Sequence, residues 1–181
     1  LLRERFTKSY AAGRRAGATE AQTTVYDMAR QLMKRQELFD TSRVSERDLD
    51  RYGRSEIGQH MLVGRNMLEA GVRFVQVTSY GWDTHGDHFN GSASLIPKFD
   101  AAFASIVEDL RDRGLLDNVL VVAMSEFGRT PRINGHIGRD HYPEAWSLAM
   151  AGAGIARGRI IGGTDAEGVF VDAPQAYDIG S

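Results

Sequence analysis

Two kinds of pattern divide the chain: stretches in which apolar residues recur every three or four positions, and short runs that are apolar nearly throughout. Ala21, Val25, Met28, Ala29, Leu32 and Met33 keep helical spacing. Thr19, with Gln22 three residues on, reads as the capping box that opens this helix. Ahead of it, LLRERFTKSYAAGRRAG (1–17) is basic and mixed, a helical pattern with a break near Gly13 and Gly17. TSRVSERDLDRYGRS (41–55) is polar and predicts a loop with a short helical turn. Ile57, Met61, Leu62, Arg65 and Leu68 mark a second amphipathic helix, with Gly71 at its end. Leu95, Ile96, Phe99, Phe103, Ile106, Val107 and Leu110 fall on one face of a third, which Gly114 stops. The face carrying Phe99, Phe103 and Leu110 is expected to be core.

The apolar runs read as buried strands. VRFVQVT (72–78) is rich in β-branched residues and follows a glycine. NVLVVAMS (118–125) and AWSLAMAG (145–152) are two more, and GRIIGGT (158–164) and GVFVD (168–172) suggest shorter ones. This order predicts an α/β fold, a parallel sheet flanked by helices. It would form one partial domain over 1–181, with a mainly helical lead-in at 1–54 and a strand/helix core at 55–181. Such a half-sheet, with exposed parallel edges, would be unstable alone or would pair with another chain. In open parallel sheets ligands gather at the carboxyl ends of strands. Polar clusters follow the first two strands and precede the third, so a site is expected there.

Composition narrows the chemistry. The 181 residues are 42% hydrophobic and 25% charged, ordinary for a globular domain with a real core. A formal net charge of −2 gives no field that favours nucleic acid or an anionic membrane. No apolar stretch approaches the length of a bilayer span. Cysteine is absent, which removes disulfides, thiolate metal sites and cysteine nucleophiles together. A transition-metal site would therefore use His, Asp and Glu. The chain begins LLRER without methionine and ends YDIGS, so it is expected to be a piece of a longer protein.

Three clusters carry candidate chemistry. GWDTHGDH (81–88) holds two aspartates and two histidines within eight residues. Imidazole and carboxylate are the usual ligands of zinc, iron and manganese when thiolates are missing. On an extended segment Asp83, His85 and Asp87 point the same way, while His88 points away or opens the next turn. The competing reading is a polar turn that caps the coming helix. In SEFGRT (125–130), Glu126 after a buried strand needs a partner or a cation and fits a ligand or general base. Arg129 suits a substrate oxyanion, or a local ion pair with Glu126. In GRDHYP (138–143), Asp140 and His141 read as a ligand and its supporting partner; nearby His136 reads as solvated. No phosphate-loop spacing, dinucleotide fingerprint, nucleophile elbow or internal repeat occurs.

Taken together, GWDTHGDHF, SEFGRTPRIN and GRDHYPEAWSLAMAGAGI, followed by GRIIGGTDAEG, resemble the bacterial family called domain of unknown function 1501, over roughly residues 55–171. That family is grouped with the alkaline phosphatase-like and sulfatase-like superfamily. The resemblance implies the same parallel α/β fold and one or two divalent metals on clustered Asp and His. Zinc is the first expectation, with manganese, calcium or iron as alternatives. It implies hydrolysis of phosphate or sulfate esters of a small molecule or carbohydrate, the ester nucleophile lying outside this chain. Arg129 would bind the ester oxyanion. The metal ligands would be Asp83, His85, Glu126 and His141, with Asp87 and Asp140 secondary. The superfamily spaces its first pair as Asp-x-x-x-His, which sets Asp87 against His85. SEFG resembles its SDHG motif, with Phe127 where a ligand histidine stands. That loss supports an alternative, a non-catalytic scaffold or binding domain. Family members commonly carry a twin-arginine signal, which implies a periplasmic or extracellular location.

Overall fold

The computed structural model describes residues 16–172. The chain forms two compact units, residues 1–43 and 44–181. In the first, α1 (Ala16–Met33) is followed by single 3-10 turns at Gln36–Leu38 and Thr41–Arg43. Helix α1 starts ahead of Thr19, so the expected capping box lies inside the helix. The apolar residues Val25, Met28 and Met33 are exposed. The expected break near Gly13 lies outside the described residues, while Gly17 is helical.

The second unit is built on three helices: α2 (Glu46–Tyr52), α3 (Glu56–Glu69) and α4 (His88–Asp112). Ser45 and Ser55 cap α2 and α3, their hydroxyls accepting from the N–H groups of Asp48 and Gly58. Helices α3 and α4 both end in Schellman motifs. Val72 N–H donates to Met67 O and Gly71 N–H to Leu68 O; Leu115 N–H donates to Leu110 O and Gly114 N–H to Arg111 O. Gly71 and Gly114 take the left-handed conformation these motifs need, at φ 87° and 68°.

Tyr52, Ile57, Met61, Leu62, Ala102, Ile106 and Leu110 form the core where the three helices meet. Phe99, Phe103, Val77 and Val121 pack against it, whereas Ile96 turns to solvent. An ionic centre crosses this core. Asp109 of α4 accepts from Arg65 (2.7 Å), Arg51 (2.7 Å) and the Tyr52 hydroxyl (2.9 Å). Burial opposes the Asp109 charge, but these three donors outweigh it and hold the carboxyl below its usual range.

The expected parallel sheet flanked by helices, and with it the alkaline phosphatase-like fold, is not what the described residues form. The described residues contain two small antiparallel sheets of two strands each: β1 (Leu120–Ala123) with β4 (Ala149–Gly152), and β2 (Gly128–Arg129) with β3 (His141–Tyr142). Residues 72–78 make no strand. They run extended across α3, with Val75 and Val77 turned in against Gly64 and Phe74, Gln76 and Thr78 turned out. A parallel pair needs a long crossover, usually helical. The connection 124–148 contains only bends, turns and the β2–β3 pair, and it returns β4 against β1 in the opposite direction. Of the two late strands expected, only a Thr164–Val171 bridge forms.

Candidate metal centre

Two segments meet in front of α4. The first, residues 81–87, leads into the helix; the second, 134–142, returns from a glycine-containing loop. Three backbone hydrogen bonds join them: Asp87 N–H to His136 O (3.1 Å), His88 N–H to Ile137 O (3.0 Å) and Arg139 N–H to Thr84 O (3.1 Å). The approach depends on Gly138, where a Cβ would lie 1.9 Å from His85 O. Asp87 and Ile137, at this crossing, adopt φ of 47° and 58°, a conformation that is costly for a β-branched residue.

This crossing brings three ligand atoms together. Asp83 Oδ1 lies 3.0 Å from His85 Nε2 and 2.9 Å from His141 Nε2, and the two Nε2 atoms are 3.2 Å apart. Donors on a tetrahedral zinc ion are separated by about 3.3 Å, and cis donors on an octahedral ion by about 3.0 Å. The observed spacings match that range. His85 Nδ1 is 2.7 Å from Asp140 Oδ1, which also accepts from Asn134 Nδ2 (3.1 Å). A carboxylate there fixes Nδ1 as the protonated nitrogen and turns the Nε2 lone pair toward the cluster. Without a metal, a proton on His141 Nε2 donated to Asp83 Oδ1 holds this contact; a metal ion would replace that proton and take the lone pairs of both Nε2 atoms and of Oδ1. The three side chains are open to solvent, Asp83 at 69%.

Arg129 completes the arrangement. Its guanidinium donates to Asp83 Oδ1 (2.8 Å), Trp82 O (3.0 Å) and Arg139 O (3.1 Å). Donation from His141 and from Arg129 holds the Asp83 carboxyl at about 2. His85 and Asn134 lower Asp140 in the same way. Phe127 lies against the His141 ring, centroid to centroid 4.1 Å.

The family model described as Protein of unknown function (DUF1501) matches residues 2–176, which include both segments. The chain belongs to the DUF1501 family. No curated protein and no solved structure matches it.

Of the site residues expected from the sequence, this DUF1501 chain brings Asp83, His85 and His141 together, with Asp140 behind His85 and Arg129 on Asp83. Glu126 is exposed at a bend and Asp87 accepts from Asn90 in the first turn of α4, so neither joins the converged group among the described residues. Sequence reasoning did not single out Asn134. Its Oδ1 accepts from the N–H groups of His136 and Gly138, and its Nδ2 donates to His85 O (2.9 Å) and to Asp140. The Asn-Gly pair was the available signal, because asparagine folds tight loops onto its own side chain.

Proposed function

We propose that this DUF1501 chain binds one divalent metal ion, zinc first among the candidates, and uses it to hydrolyse phosphate or sulfate esters. The convergence of Asp83 Oδ1, His85 Nε2 and His141 Nε2 within 3.2 Å of one another carries the reading. The donor set fits the ion. Two imidazoles and one carboxylate suit zinc, iron or manganese, and are too nitrogen-rich for calcium. When bound, the ion supplies Lewis acidity that stabilises negative charge developing on ester oxygens and acidifies water.

The side chains do the rest. Asp140 orients His85, and Arg129 holds Asp83 against rotation while keeping it charged. The exposure of all three ligands leaves the ion open to an ester and to water. Arg129 spends three of its five N–H donors on its present contacts, and the remaining N–H groups are what it would offer a substrate oxyanion. Ester hydrolysis and export from the cytoplasm both rest on the resemblance of the motifs, whereas metal binding also has the geometry behind it.

A second reading, a metal-bearing scaffold without turnover, is favoured by Phe127 lying on His141 where a further ligand is expected. The test is metal analysis of the purified full-length protein, which includes the nucleophile region that the resemblance implies lies outside this chain, paired with hydrolysis of aryl phosphate and aryl sulfate esters. Near-stoichiometric metal that Asp83→Ala and His141→Ala remove, with turnover that a chelator abolishes, is the expected result. Less than about 0.1 equivalents after incubation with zinc overturns the metal reading. Bound metal with no turnover on either ester class leaves the scaffold.

A further inference from the structure

Thr84 stands between two of the proposed ligands, yet its side chain faces away from them. Asp83 and His85 meet on one side of the segment, and Thr84 reaches to the other, onto α4. Its hydroxyl lies 2.6 Å from His88 Nδ1. Its methyl lies where a Cβ on Gly91 would come within 3.0 Å, so the helix is open at that point to receive it. Its carbonyl accepts from Arg139 N–H, in the segment that carries His141. His88 makes the reciprocal link: its side chain holds Thr84, and its N–H donates to Ile137 O of the second segment. The two residues therefore tie both ligand-bearing segments to the first turn of α4.

We infer that the Thr84–His88 pair is a clamp that sets the register of Asp83 and His85 against His141, making both of them positioning residues for metal binding. The inference rests on the metal reading above. Each segment alone brings at most two of the three donors. A relative slip of a few tenths of an ångström already exceeds what a metal site tolerates, about 0.2 Å. The hydroxyl–imidazole bond fixes the one residue whose backbone both flanking ligands share.

Cobalt(II) titration of the full chain, followed by its visible absorption bands, separates this role from a merely structural one. Thr84→Val keeps the shape and removes the hydroxyl; Thr84→Ser keeps the hydroxyl. Thr84→Val is expected to weaken cobalt binding about 10-fold or more and to change the band intensities. Thr84→Ser is expected to stay close to the wild type. His88→Leu should behave as Thr84→Val, and His88→Asn, whose amide reaches the Nδ1 position, should restore binding. Thermal melting of the metal-free chains is the control for folding, and if Thr84→Val does not fold, the His88 pair decides. Wild-type affinity and spectrum in both Thr84→Val and His88→Leu overturn the clamp while leaving the metal site standing. Equal losses in all four variants overturn it as well, because the hydroxyl bond would not be the cause. A wild-type chain that takes up no cobalt overturns the metal reading and this inference with it.

Discussion

Gly138→Ala tests the crossing of the two ligand-bearing segments more sharply than removal of any ligand. Gly138 is not in the left-handed region, so the substitution acts through space alone. The new methyl carbon would lie 1.9 Å from His85 O and 2.1 Å from its carbonyl carbon. A carbon facing a carbonyl oxygen needs about 3.3 Å, so the two backbones must part by about 1.4 Å. That movement breaks the three backbone hydrogen bonds between the segments. At about 1 kcal/mol each, the loss is about 3 kcal/mol, or roughly 6–12 °C in melting temperature. It also carries His141 and Asp140 away from His85 by several times the tolerance of a metal site, which should weaken zinc binding about 100-fold. Gly135→Ala in the same loop is the control, since a Cβ there meets nothing within 4 Å. Scanning calorimetry of the metal-free chain and zinc competition against a chromophoric chelator read the two effects separately. A Gly138→Ala chain with wild-type melting and zinc affinity would refute the reasoning, as would equal damage from Gly135→Ala.

Asp140→Asn leaves the ligand set untouched but removes the carboxylate that fixes His85, so zinc affinity measured by chelator competition should fall about 10–100-fold with little change in metal-free melting. Asp109→Ala leaves the buried Arg65 with Asp48, at 3.3 Å, as its remaining carboxylate, and should destabilise the second unit by about 3 kcal/mol, the low end for breaking a buried pair, read as a drop in denaturant midpoint. The same carboxylate makes stability depend on pH. Its folded pKa lies below the unfolded value of about 3.9, so its contribution is present above that value and is lost as pH falls through the folded pKa. Acid unfolding of the wild type should therefore steepen below about pH 4, and Asp109→Asn should flatten that limb; superimposable curves would count against the network.

Helices α3 and α4 were legible because their signals are local, whereas the polar stretch 41–55, read as a loop with a short helical turn, forms α2 and places Tyr52 in the core. Apolar spacing located α3 and α4, and the glycines at 71 and 114 sit where the Schellman motifs need positive φ. Strand pairing is a relation between distant residues, and no run of β-branched residues states its partner. Residues 72–78 have the composition of a strand, yet they lie extended against Gly64 of α3 instead of joining a ladder. Residues 120–123 do join one, in the direction set by the connection that follows them. Expecting a parallel sheet amounted to assigning that direction from element order alone.

The site divides along the same line. Asp83 and His85 alternate on one short segment, and Asp140 and His141 are adjacent, so each pair was visible locally; their meeting is a tertiary fact. Asp87 and Glu126 shared the right chemistry and lacked the right direction: one is drawn into the helix start by Asn90, the other into a bend. What aims the survivors is carried by residues with no ligand chemistry at all. Gly138 lets the segments touch, Asn134 folds the second one back, and Thr84 with His88 fastens the first to α4. A pattern search for imidazoles and carboxylates finds donors, but the donors converge only because a missing side chain, an amide and a hydroxyl hold the backbone that carries them.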